Sequence, residues 1–223
     1  GKGFEFDGID SGDYIMVDDN GDGFGKTMCI NGCTFSAWAK KADLVSLETI
    51  MGRFDSSGSN QFFRIFIEDN EDTNFAILEN GNNTVCAVSY GGGDISQDVW
   101  YHYVGVYDNS TGTGNASLYR DGVYLDSTTC GFSGINATAW ADDEDVLIGA
   151  YDDVDIRSEW NGSIDEVMIF NRSLSASEVM ALYNASDLSG YNGIDENYTS
   201  QLSDGAHSFE AIVVDSASNV VSA

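Results

Sequence analysis

The chain has 223 residues, 9 Lys and Arg against 37 Asp and Glu, and a formal charge of −28. With 42% hydrophobic residues it can bury a core for one large domain, or one domain and a small appendage, which excludes disorder. That charge excludes nucleic-acid backbones and anionic lipid as partners, and no run approaches the roughly 20 apolar residues that insertion through a membrane requires.

Short β-branched and aromatic segments begin at residues 3–6 and 14–17, separated by Gly, Asn, Asp and Ser clusters. Between 17 and the next segment lies Asp18-Asp19-Asn20-Gly21-Asp22-Gly23. Its D-x-N-x-D-G spacing sets oxygen ligands Asp18, Asn20 and Asp22 at alternate positions, which suits Ca2+. An EF-hand loop would end on Glu where this chain has Cys29, so other segments would have to complete the shell. The alternative is an acidic, solvated turn.

Further strands are expected at 34–39, 61–68, 73–78, 84–90, 101–107, 116–120, 123–127 and 146–150, the pattern of an antiparallel sandwich. In 61–68 the faces separate, with Phe63, Ile65 and Ile67 on one side and Phe62, Arg64, Phe66 and Glu68 on the other. The second set makes an aromatic and polar outer face suited to a ligand, or else a face that other residues partly cover. Asp121-Gly122 supplies the positive φ angles of a tight hairpin.

Acids then interleave with aromatics: Trp140, Asp143, Tyr151, Asp153, Asp155, Arg157 and Trp160. Such a set suits calcium-assisted sugar binding, because rings stack on pyranose faces while carboxylates take hydroxyls. A salt-adapted acidic loop accounts for it equally well. A helix is expected over 175–183, opened by an S-x-x-E capping box at Ser175 and Glu178. Beyond 186 the texture turns polar, and residues 187–223 are expected to form a β-hairpin, an addition to the first domain or the remnant of an Ig-like domain. His207 lies near Ser208 and Asp204 but without a nucleophile motif, and reads as a turn residue.

The four cysteines lack CxxC spacing and have only His102 and His207 beside them, which argues against zinc. The preferred pairing is Cys29–Cys33 and Cys86–Cys130, the alternative being four buried thiols. Eight Asn-x-Ser/Thr sequons begin at Asn82, Asn109, Asn115, Asn136, Asn161, Asn171, Asn184 and Asn197. Disulfides and sequons together point to an extracellular chain, a disulfide-bonded glycoprotein. The scarcity of Lys and the excess of Asp fit either a halophilic surface or clustered calcium ligands. The N-terminus lacks the order of a signal peptide, so a mature or excised fragment of a larger multidomain surface protein is expected.

Several segments, in order, resemble the LamG-like jelly-roll family of the concanavalin A-like lectin/glucanase superfamily. They are Phe6-Asp7-Gly8-Ile9-Asp10, Phe35-Ser36-Ala37-Trp38, Trp100-Tyr101-His102-Tyr103-Val104 and Leu118-Tyr119-Arg120-Asp121-Gly122-Val123. The longest begins at Trp160-Asn161-Gly162-Ser163-Ile164-Asp165 and ends at Arg172-Ser173-Leu174-Ser175. The resemblance implies an all-β jelly roll over 1–186 with one short C-terminal helix. It also implies a structural calcium near the meeting of the first and last strands, with Asp10 and Asp165 as candidates. Trp38 and Trp100 are expected to pack in the core.

The expected function is a non-catalytic recognition module that binds glycans or a cell-surface partner with calcium support. The alternative is a protein–protein adhesion or spacer domain of a large surface protein. Polysaccharide hydrolysis is disfavoured because Ile164-Asp165-Glu166-Val167 lacks the E-x-D-x-x-E carboxylates of related hydrolases.

Overall fold

The computed structural model describes residues 3–8, 11–17, 29–55, 60–79, 84–91, 94–131, 145–151, 158–186, 212–214 and 220–222. The chain divides into two compact units, Gly1–Ser186 and Asp187–Ala223.

The first unit is a sandwich of two antiparallel sheets. One sheet orders its strands as β1 (Phe4–Asp7), β12 (Asn161–Phe170), β3 (Gly32–Lys41), β8 (Trp100–Asp108), β9 (Asn115–Arg120) and β10 (Val123–Thr129). The other runs β2 (Ile15–Val17), β11 (Val146–Ile148), β4 (Glu48–Asp55), β5 (Asn60–Ile67), β6 (Thr73–Glu79) and β7 (Thr84–Tyr90). Alternation decides what goes inside: Cys33, Phe35, Ala37 and Ala39 of β3 meet Phe63, Ile65 and Ile67 of β5 in one core. Phe35 stacks on Phe63 with ring centroids 3.8 Å apart and tilts against Phe75 at 6.0 Å, which ties the sheets together at their middle.

Asp121 and Gly122 take φ angles of 52° and 74°, so the expected hairpin joins β9 to β10. The helix α1 (Ala176–Ser186) starts where the capping box places it. The Glu178 N–H donates to Ser175 Oγ at 3.4 Å, and the Ser175 N–H donates to Glu178 Oε2 at 2.8 Å. Arg172, 2.8 Å from Glu178, adds to those donors and holds the Glu178 carboxyl down to about 2. The helix covers part of the outer face of the first sheet, where Val179 and Leu174 close over Val104, Val106 and Tyr119.

Two expectations about tryptophan are corrected. Trp38 and Trp100 are not in the core between the sheets, because their neighbours Ala37 and Ala39 take the inward positions of β3 and Trp100 pairs with outward-facing Lys40. Trp38 instead stacks on Tyr183 of α1 at 5.6 Å, and the Lys40 ammonium lies 5.7 Å over the Trp100 ring.

In the second unit, β13 (Ile212–Val214) pairs antiparallel with β14 (Val220–Ser222), a hairpin as the sequence pattern implies. His207 lies outside the described residues.

Candidate functional site

Because Phe63, Ile65 and Ile67 turn inward, Arg64 and Phe66 stand on the outer face of the second sheet. The strand register carries their positions sideways. One row runs Leu147, Gly52, Arg64, Ala76, Ala87, and the next runs Thr49, Phe66, Asn74, Ser89. Side chains in a row are cross-strand neighbours, so these nine positions form one surface.

Arg64 is the only cation in these two rows. Its guanidinium carbon lies 4.0 Å from the Tyr151 ring centroid and 4.4 Å from that of Phe66. Gly52 makes room for the tyrosine: a Cβ there would stand 3.2 Å from Tyr151 Cδ2. Arg64 Nε and Nη2 both donate to Thr49 Oγ1, at 2.8 and 2.7 Å. Two rings and one hydroxyl thus fix a planar fork, with Nη1 lacking a hydrogen-bond partner among the described residues. Burial pulls the guanidinium down to about 10, with Tyr151 and Glu68 acting the other way, so it is charged at neutral pH.

The other described cations are mostly matched to acids. Arg120 lies 3.1 Å from Asp94, Arg172 2.8 Å from Glu178, and buried Lys41 2.9 Å from buried Glu48. Arg64 has no carboxylate within ion-pair distance among the described residues, in a chain with 37 acids. Elsewhere, Asn74 is held by a bond from Nδ2 to the Asp72 carbonyl at 3.0 Å, while Ala87 and Ser89 are exposed.

The sequence-derived candidates divide. Tyr151 falls at this face. Trp160 does not: it is 0% exposed in the core between the sheets, and so cannot stack on a ligand, a correction that follows from its place just before β12 beneath the sheet interior. Trp140, Asp143, Asp153, Asp155 and Arg157 lie outside the described residues, as do the calcium candidates Asp18, Asn20, Asp22 and Asp10. Asp165 sits on β12, where its Oδ1 accepts the Glu166 N–H at 2.9 Å beside a bulge, and no group of three His, Cys, Asp or Glu side chains suited to a metal occurs among the described residues.

Cys29 is joined to Cys33 and Cys86 to Cys130. Among the sequons, Asn161 spends its Nδ2 on Asp43 at 2.7 Å and Asn109 spends its own on the Ile30 carbonyl at 3.0 Å. Asn115 Oδ1 accepts from Ser117, Asn171 is exposed with Oδ1 accepting from Cys29 N–H, and Asn184 is exposed on α1. Asn82, Asn136 and Asn197 lie outside the described residues. Thr49, Gly52, Asn74 and Ser89 were not legible as site residues; only register across four strands brings them beside Arg64.

A laminin G family model, described as the concanavalin A-like lectin/glucanases superfamily, matches residues 10–180. The chain belongs to that superfamily. Solved structures share this concanavalin A-like fold at low identity. The CBM40 domain of a Ruminococcus gnavus IT-sialidase bound to alpha2,3 sialyllactose aligns at TM-score 0.62 and 13% identity, over 82% of this chain and 100% of that one. The NanB sialidase of Streptococcus pneumoniae aligns at 0.62 and 20%, over 81% of this chain but 27% of the sialidase. A botulinum neurotoxin type C structure, reported as dependent on two ganglioside molecules for cell entry, aligns at 0.58 and 18%, over 80% and 41%. No curated protein sequence matches this concanavalin A-like chain.

Proposed function

We propose that the first unit is a non-catalytic, extracellular glycan-recognition module whose ligand lies on the outer face of β4–β7, with Arg64 taking an acidic group of the sugar. The observation that carries this reading is Arg64 itself: a charged fork clamped between two rings, with Nη1 unspent and no carboxylate within ion-pair distance among the described residues. A guanidinium so arranged matches a carboxylate, and the adjacent rings and hydroxyls suit a sugar's C–H faces and hydroxyls. Tyr151 and Phe66 supply stacking and exposed Ser89 a hydroxyl, while buried Thr49 holds Arg64 in place; none of these supplies the carboxylate pair that glycoside hydrolysis needs.

Support comes from the superfamily and from structural neighbours that include a CBM40 solved with sialyllactose and a ganglioside-dependent toxin. The net charge of −28 opposes an acidic ligand only at a distance, because salt screens exposed charges over about 8 Å while a half-buried guanidinium in contact is screened far less. Two disulfides and eight sequons support an extracellular setting within a larger surface protein. Calcium support belongs to the same proposal, resting on the oxygen spacing of Asp18, Asn20 and Asp22.

Arg64→Gln should weaken binding of acidic oligosaccharides about 10-fold or more, as loss of a charge-assisted contact does, measured on a glycan array and by calorimetry with unchanged melting as the fold check. Arg64→Lys should recover part of that loss. Equal binding by wild type and Arg64→Gln would sink the proposal, and a silent array with capture of cell-surface protein would favour adhesion instead.

A further inference from the structure

Along its row, the face around Arg64 is walled on one side and low on the other. Leu147 occupies the same row beyond Gly52, and its neighbours Val146 and Ile148 turn into the core, so Leu147 points outward. It is nevertheless 1% exposed, so the row is covered there before it reaches Met16 on the edge strand β2, which is 52% exposed, and the Tyr151 ring stands over Gly52 next to Leu147. On the other side of Arg64 the row falls to Ala76 and then to exposed Ala87 on β7, the last strand of its sheet. Small side chains there leave a low floor, and Ser89, exposed in the adjoining row, offers a hydroxyl at its margin.

We propose that this surface recognises the end of an acidic glycan: the terminal sugar sits on Arg64 against Tyr151, and the chain leaves across the strands over Ala76 and Ala87. The inference rests on the reading of Arg64 given above. Its physical basis is the asymmetry of the row. A sugar seated on the guanidinium meets a tyrosine and a covered strand in one direction. In the other it meets only the methyl of Ala76, 8% exposed and level with the sheet, and then the exposed methyl of Ala87 at the sheet edge, so that is the direction that admits a second and third residue.

The test compares the methyl glycoside of sialic acid with alpha2,3 sialyllactose by calorimetry, on wild type, Ala87→Trp and Arg64→Gln. The wild type should bind the trisaccharide at least 5-fold more tightly than the monosaccharide. Ala87→Trp, a surface change at an exposed position, should bring the trisaccharide down to the monosaccharide's affinity or below while leaving the monosaccharide within 2-fold. Ser89→Trp should act in the same direction, guarding against a local fault at Ala87. If Arg64→Gln abolishes binding but Ala87→Trp weakens both ligands equally or neither, the binding face stands and the proposed direction is overturned. If Arg64→Gln binds as wild type does, the face itself is overturned.

Discussion

His102 shows how a single side chain can make the fold depend on pH. It is 0% exposed on β8, tilted against Trp38 at 5.4 Å and stacked near Tyr183 of α1 at 6.2 Å, with Nε2 bonded to Ser36 Oγ at 2.8 Å. Its Nδ1 is buried and unpartnered, and Asp121 engages only its backbone N–H, so nothing compensates a charge on the ring. Burial pulls its pKa down to about 4 from 6.5. The unfolded chain therefore binds more protons than the native one between those values. Stability from a neutral His102 is complete above pH 6.5 and is lost as pH falls to about 4, by an amount on the order of 3 kcal/mol. Urea unfolding of wild type and His102→Gln across pH 4–7 checks this: the variant should show the shallower pH dependence, and identical slopes would refute it. The sequence marked His102 only as unsuited to zinc; its burial beneath α1 is a tertiary result.

At the scale of elements, the two disulfides do different work. Cys86 lies on β7 and Cys130 follows β10, and each of those strands ends its sheet, so this bond staples one side of the sandwich shut. Cys29 and Cys33, four positions apart, pin only the entry to β3. In the chain-entropy account, closing the 44-residue separation is worth about 4 kcal/mol and closing the short one about 2. Replacing Cys86 and Cys130 by Ser should therefore lower the urea midpoint about twice as far as replacing Cys29 and Cys33. Equal losses would mean that the edge staple adds nothing beyond local order. Most elements were legible: the alternating segments became strands, Asp121-Gly122 became a hairpin and the capping box opened α1. The strand β4 was not, because a bulge between Thr49 and Met51 sends Ile50 and Met51 inward in succession and breaks the period of two. The long β12 was legible as a family motif but not as a strand, since its bulge between Asp165 and Met168 also shifts the alternation.

For the molecule as a whole, the acid excess raises the matter of calcium. An ion bound to the native state alone at 100 times its Kd adds about 2.7 kcal/mol, which in a domain of this size is roughly 5–10 °C of melting temperature. Chelator should lower the Tm by that order, and Asp22→Ala should lower it less than chelator does if a second ion is held elsewhere. An unchanged Tm with chelator would remove calcium from the account of this chain.

The sequence by itself determined the sandwich, its hairpin, its capped helix and its family, because each depends on local periodicity, turn chemistry or ordered motifs. It also separated Arg64 and Phe66 from the core side of β5. Only the tertiary structure decided what that outer face is. Thr49, Gly52, Ala76, Ala87 and Tyr151 come from separate stretches of chain, and their meeting at Arg64 is set by the register of four strands. Register likewise placed Trp38 and Trp100 outside the core, since a one-residue change of pairing reverses the face on which a side chain stands, and the approach to β12 placed Trp160 inside it.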